Sequence, residues 1–265
     1  MGVRIVQVDA FTSAPFAGNP AAVCVLTGAR DEGWMQSVAR EMNLSETAFL
    51  HPEREAWRLR WFTPAVEVDL CGHATLAAAH VMWEDGHVLG RQDIRFATKS
   101  GTLGAAARGD WIELDFPAVL AQPAQPPAGL LEALGVKGTV AKNRMDYLVE
   151  VADEAIVRRL TPDFTKLKRV ETRGVIVTAK GRAPYDFISR FFAPAAGVDE
   201  DPVTGSAHCA LGPWWARKLG KTEMLAFQAS PRGGVVRVRV QDDRLILGGQ
   251  AVTVLQGELT TPAAG

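Results

Sequence analysis

Residues 72–86 read GHATLAAAHVMWEDG and residues 205–220 read GSAHCALGPWWARKLG. Both stretches are apolar nearly all round and rich in alanine, the pattern of a helix buried on every side. Each opens on a glycine and closes on one, Gly86 and Gly220, where helices commonly end. Pro213 is expected to kink the second helix or shorten its start, because its ring clashes with the preceding turn. A chain with two such helices invites a search for internal repetition.

The repetition extends outward from them. Phe62-Thr63-Pro64-Ala65 returns as Phe192-Ala193-Pro194-Ala195 at an offset of 130, and Val68-Asp69 returns as Val198-Asp199 at the same offset. From Gly72 to Gly205 the offset is 133, so the second copy carries three extra residues within VDEDPVTG. The turn-and-strand pattern Gly109–Leu114 resembles Asp242–Leu247, again at 133. Around each helix lie short segments of alternating polarity: Val3–Val8, Arg58–Phe62, Trp111–Phe116, Asp186–Phe192, Val235–Val240 and Leu245–Leu247. Period two predicts half-buried, mostly antiparallel strands. The expected fold class is α+β: two pseudo-symmetric half-domains, each a curled, mostly antiparallel sheet wrapped around a central helix. An amphipathic helix is expected over Asp31–Met42, with Trp34, Val38 and Met42 on one stripe. The run PAVLAQPAQPPAG (Pro117–Gly129) holds four prolines and no charge, which reads as an extended connector. The expected division is therefore 1–118, a connector over 119–129, and 130–265, with the last strand able to pack back on the first half.

Bulk properties narrow the function. The 265 residues carry a net charge of −1, so no global field favours nucleic acid or an anionic membrane. Three scattered cysteines and no C-x-x-C pair argue for a reducing compartment. The start, MGVRIVQVDAF, alternates like a strand and has no secretory pattern; Val6 stands where a myristoylation signal needs Ser or Thr. No apolar run approaches the ~18 residues of a membrane span. The expected location is the cytoplasm.

Two glycine-led helix starts offer unpaired N–H groups and partial positive charge, suited to a carboxylate or phosphate. An anionic small molecule held between Gly72-His73 and Gly205-Ser206 is the functional reading; glycines that merely let helices pack on sheet is the bland one. The acids Asp199, Glu200 and Asp201 are either a solvated capping turn or a catalytic carboxylate. Glu46 stands between Ser45 and Thr47 in an otherwise apolar strand, as an exposed strand residue or a reactive group. His73 is the side chain beside the first helix start that titrates near neutrality. His51, His80, His87 and His208 read as structural or surface residues, while Trp214, Trp215, Tyr185 and Met145 are candidates for shaping a pocket.

The blocks VDAFTSAPFAGNPAAVCVL, MNLSETAFL, WFTPAVEVDLCGHATLAAAHV and FFAPAAGVDEDPVTGSAHCAL resemble, in order and spacing, the successive blocks of the PhzF-type phenazine-biosynthesis isomerase family. The resemblance implies the diaminopimelate-epimerase-like fold and isomerase chemistry on dihydro-hydroxyanthranilate-like carboxylates, with no cofactor or metal. It implies Glu46 as the general acid/base that moves a proton between ring carbons, with His73 and Asp201 as supporting polar groups. Asn19 would line the site; Ser45, Gly72, Gly205 and Ser206 would bind the substrate carboxylate and its neighbours. The expected partners are a small-molecule carboxylate and a second copy of the chain in a homodimer, with neither nucleic acid nor membrane.

Two rivals bear on this. A two-thiol racemase of the same fold needs a cysteine before each helix-starting glycine; Cys71 precedes Gly72, but Thr204 precedes Gly205. Cys71 then reads as a small buried residue. A binding protein without turnover would keep the fold but has no need of Glu46, His73 and Asp201 together. A metal enzyme is disfavoured: Cys71/His73 and His208/Cys209 are expected to point apart at helix starts and lack zinc spacing. Nucleotide-binding glycine motifs are absent.

Overall fold

A computed structural model describes residues 2–260 of the chain. The first residue and the last five of the expected C-terminal half lie outside the described residues. The chain divides into two compact units, one running through Asp115 and resuming at Gly248, the other Phe116–Leu247.

In the first unit, β1 (Val3–Ala10) pairs antiparallel with β2 (Asn19–Val25), Val6 opposite Val23. Helix α1 (Glu32–Met42) carries the chain over to β3 (Glu46–Glu53), which runs parallel to β2. The Asp31 carboxylate accepts the Trp34 N–H at 3.0 Å to cap α1, and Asn43 ends it in the left-handed region at φ 50°. Both are residue types whose short polar side chains favour those positions. Strand β4 (Ala56–Phe62) pairs antiparallel with β3 and with β5 (Glu67–Val68). Helix α2 (Gly72–Glu84) follows, then the meander β6 (Ile94–Thr98), β7 (Gly101–Arg108) and β8 (Trp111–Pro117). Helix α2 is buried continuously from His73 to Ala79 and packs against β1, β2, β3 and β7. Its alanines let strands approach on several sides, so the sheet wraps it.

In the second unit, β9 (Gln122–Pro123) and helix α3 (Leu130–Leu134) precede β10 (Thr139–Lys142) and β11 (Asp146–Glu150), an antiparallel pair. Helices α4 (Glu154–Arg159) and α5 (Phe164–Leu167) lead to β12 (Gly174–Lys180), parallel to β11. Then come β13 (Phe187–Ala193), β14 (Val198–Asp201) and α6 (Gly205–Leu219). After α6, β15 (Glu223–Gln228) lies parallel to β13 and antiparallel to β16 (Gly234–Gln241), and β17 (Arg244–Gly249) follows. The indole N–H of Trp215 donates to Thr178 Oγ1 at 3.0 Å and that of Trp214 to Glu150 Oε2 at 2.7 Å. Tyr185 stacks on Phe227 with ring centroids 5.0 Å apart. These three aromatics are spoken for by internal contacts within the unit.

Pro213 does not shorten the start of α6: the helix opens at Gly205 and runs 15 residues through the proline. The carbonyl that Pro213 cannot satisfy, that of Cys209, accepts the Val119 N–H at 3.0 Å instead. A backbone donor from the proline-rich segment thus replaces the missing helical bond. The same segment forms β9, whose Gln122 and Pro123 pair with Lys142 and Ala141.

Strand β18 (Ala251–Leu259) returns to the first unit and pairs antiparallel with β1, from Val3 opposite Leu259 to Ala10 opposite Ala251. Just before it, Gly249 sits where any side chain would collide with Phe11 and with Leu76 of α2. Gly249→Val should therefore lower stability by about 1–3 kcal/mol through overpacking, seen as a lower urea midpoint. An unchanged midpoint would mean that α2 is not clamped there. Among the described residues, no helix is long and apolar enough to cross a membrane.

Candidate functional site

In the first unit, three elements deliver five of the expected residues. Gly18, at φ +63°, lies so close to the Ala10 carbonyl that a Cβ would clash with it, and this turn sets Asn19 at the start of β2. Ser45 immediately precedes β3 and Glu46 opens it, opposite Ala21 of β2. Gly72 and His73 open α2 behind Cys71, an N-cap in extended conformation (φ −144°, ψ 112°) with no side-chain cap bond.

Ser45 Oγ donates to Asn19 Oδ1 at 3.3 Å, and Asn19 Nδ2 lies 3.1 Å from His73 Nδ1. That nitrogen accepts from the amide, which puts the neutral ring's proton on Nε2. Nε2 stands 3.1 Å from Glu46 Oε2. The two atoms are within ion-pair distance yet not aligned as a hydrogen bond, and both are buried without another partner. The Glu46 side chain keeps 18% of its surface open; His73 keeps 5%. Burial pulls the His73 pKa down, but neighbouring Cys71 and Glu46 outweigh it and hold it well above the ordinary value. Burial raises the Cys71 thiol, with the Glu46 charge adding to it, so Cys71 is a neutral thiol near neutrality. Cys71 and Glu46 together favour the protonated imidazole.

The expectation that Cys71 and His73 point apart is not met. Cys71 Sγ lies 3.5 Å from His73 Nδ1, because the extended N-cap directs its side chain over the first turn of the helix that carries His73. Glu46 joins them: one oxygen, the sulfur and one ring nitrogen lie within 4.8 Å of one another.

In the second unit, the three acids part company. Asp199 is exposed. Glu200 forms a two-pronged pair with Arg190, both bonds 2.7 Å. Asp201 Oδ2 accepts the Thr204 hydroxyl at 2.5 Å. Fully buried Gln228 pins the loop that holds them, taking the Thr204 N–H at 2.8 Å and donating to the Asp201 carbonyl at 2.7 Å. Gly205 opens α6. Ser206 Oγ accepts from Arg173 Nη2 at 3.0 Å, and Arg173 is forked onto fully buried Asp146 at 2.8 and 2.5 Å. The guanidinium beside this helix N-terminus is balanced by the Asp146 carboxylate. His208 is structural: burial pushes its pKa down to about 4, and Nδ1 donates to the Thr204 carbonyl at 2.8 Å.

Arg173, Asp146 and Gln228 escaped the reading of the sequence. Asp146 was detectable in principle, as an acid opening the otherwise apolar run DYLV of its strand, which must find a partner if buried. Gln228 looks like any polar strand residue until its burial is known. His80 also proves less isolated than expected: its Nε2 lies 3.1 Å from both Thr253 Oγ1 and Glu84 Oε2, beside a cavity of about 430 Å³.

Alanine-rich helices packed against mixed sheet place the chain in the α+β class. A PhzF-family protein of Enterococcus faecalis superposes with a TM-score of 0.94 at 42% identity, over 98% of this chain and all of that one. A probable proline racemase of Agrobacterium radiobacter, at 12% identity and TM-score 0.68, shares the fold alone, over 98% of this chain and 93% of that one. The chain belongs to the PhzF family: the phenazine biosynthesis-like protein family matches residues 8–257. An uncharacterized isomerase of Halalkalibacterium halodurans is 58% identical over 98% of this chain and 99% of its own length.

Proposed function

We propose that this chain is a cofactor-independent isomerase that moves a proton on a small cyclic or amino-acid-derived carboxylate by general acid/base catalysis. The observation that carries the reading is the Glu46–His73 contact at 3.1 Å, with both facing atoms buried and unaligned. A carboxylate beside an imidazole, with neither atom locked in an aligned hydrogen bond, is free to take a proton from carbon and return it. Glu46 is the proton carrier. His73 holds the companion charge, and Asn19 and Ser45 fix the ring. The α2 start at Gly72 offers N–H groups to a substrate carboxylate; in the second unit the α6 start at Gly205 and Ser206 offers donors of the same kind. Asp201 orients the Thr204 loop. Assembly as a homodimer in the cytoplasm belongs to the same reading.

The test needs no known substrate. Cyclic and amino-acid-derived carboxylates are incubated with the protein in deuterium oxide, and loss of carbon-bound hydrogen is followed by proton NMR. Exchange into at least one compound supports the reading; none across a broad panel, despite measurable binding, would favour the binding protein without turnover.

The two-thiol racemase makes an opposite prediction for Cys71. Its second thiol would stand where Thr204 is, and the Thr204 hydroxyl is committed to Asp201. Cys71→Ser should leave exchange within about tenfold of wild type, because the thiol carries no proton in the proposed reaction. A racemase would lose several orders of magnitude, thiol and hydroxyl differing widely in acidity.

A further inference from the structure

We infer that Cys71, His73 and Glu46 form a binding site for a thiophilic divalent cation of the Zn²⁺ type. Among the described residues they are the one group of its kind, with ligand atoms within 4.8 Å of one another. Two donors sit at the spacing such an ion imposes. Ligand atoms on a tetrahedral zinc, about 2.0–2.3 Å from the metal, stand roughly 3.3–3.6 Å apart, and Cys71 Sγ lies 3.5 Å from His73 Nδ1. Glu46 Oε2 is a buried oxygen without an aligned hydrogen bond, so its lone pairs gain from a new electrophile with no such bond given up. On His73 the ion takes Nδ1, the nitrogen beside Cys71 Sγ, in place of the Asn19 amide.

The donor set selects the ion. One sulfur, one imidazole and one carboxylate suit Zn²⁺ or Co²⁺; Mg²⁺ and Ca²⁺ call for oxygen alone. Three protein ligands leave a fourth position for water. The charges close as well, because a coordinated thiol gives up its proton. Thiolate and carboxylate then balance the dication in a place too buried for uncompensated charge. The ligands lie on the start of β3 and the start of α2, both fixed by pairing and packing. Against binding stands the positive end of α2, which sets the affinity below that of a structural zinc site and makes the occupancy reversible.

The consequence rests on the catalytic reading above: an ion on Glu46 and His73 takes the proton carrier and its companion out of action, so zinc is an inhibitor there and not a cofactor. The site itself does not depend on that reading.

The experiment uses the full chain. Co²⁺ titrated into the purified protein should saturate near one ion per chain, with a thiolate-to-cobalt charge-transfer band in the near ultraviolet. Zn²⁺ should displace it. Cys71→Ser should abolish the band, and His73→Gln or Glu46→Gln should weaken Zn²⁺ binding at least about tenfold. Cys24→Ser and Cys209→Ser should keep the band. Wild-type protein loaded with Zn²⁺ gives a readout independent of any variant's folding: X-ray absorption at the zinc edge should show one sulfur neighbour. Only nitrogen and oxygen neighbours, no band, or a band surviving Cys71→Ser would overturn the proposal. If Glu46→Gln exchanges carbon-bound hydrogen normally, the catalytic reading fails while the sulfur–zinc bond stands; absent zinc binding with Glu46-dependent exchange separates the two the other way.

Discussion

Glu46→Gln is expected to bind carboxylates as the wild type does and to lose about 10²–10⁴-fold in hydrogen exchange at carbon, the usual share of a general acid/base group. Glutamine keeps the length and one carbonyl oxygen, so the 3.1 Å approach to His73 Nε2 can persist. What it removes is a group able to accept a proton and give it back. The loss should fall on turnover, with substrate binding little changed. His73→Gln should cost less if the imidazole only supplies charge and orientation, and Asp201→Asn less again, since its carboxylate is engaged by Thr204. Thermal shift with a bound carboxylate reads the binding, and NMR in deuterium oxide reads the exchange. Exchange within a factor of about three of wild type would remove Glu46 from the reaction.

Arg190→Ala should lower stability by about 3–5 kcal/mol, the cost of breaking a buried pair and stranding its partner. Arg190 and Glu200 keep only 10% and 13% of their side-chain surfaces open. The guanidinium makes both forked bonds to Glu200 and donates Nη1 to the Leu160 carbonyl at 2.6 Å, where α4 has ended. It also lies over the Phe192 ring, 5.0 Å from its centre. Alanine leaves a half-buried carboxylate, an unpaired carbonyl and a void in one step. Lysine restores charge but not the fork and should recover only part of the loss. A urea midpoint for Arg190→Ala equivalent to less than about 1 kcal/mol would class the pair with weak surface bridges. Because Glu200 adjoins Asp201 on β14, hydrogen exchange of the Thr204 amide should quicken in the same variant.

The two alanine-rich helices are readable from sequence because burial on every side leaves a one-dimensional trace: GHATLAAAHVMW has almost no polar position to misplace. Alternation likewise locates β1, β4, β8 and β13 to within a residue or two. The segment 130–180 is less transparent, since α3, α4 and α5 span no more than six residues each, too few for helical periodicity to show. The site divides along the same line. Glu46 stands out as a lone carboxylate among apolar neighbours, and His73 as a titratable group at a helix start. Their contact joins β3 to α2, and no local pattern encodes a distance between elements. The ambiguity of the three acids resolves for the same reason: Arg190 and Thr204 decide which is structural and which faces the helix start. Pro213 misleads because its remedy, the Val119 amide, lies in a segment that reads as a mere spacer.

The β1–β18 pairing has a consequence for synthesis on the ribosome. Strand β1 is made well before its partner across eight paired positions, because the whole of the second unit is translated between them. At about 5–20 residues per second the wait is on the order of ten to fifty seconds. Throughout it, one edge of β1 is an open template for strands of other chains. Meanwhile Phe116–Leu247, an uninterrupted stretch, can close its own core before the release of the nascent chain. The interrupted unit is therefore finished after the one it encloses in sequence, and chaperone dependence should centre on the unit that β1 and β18 close.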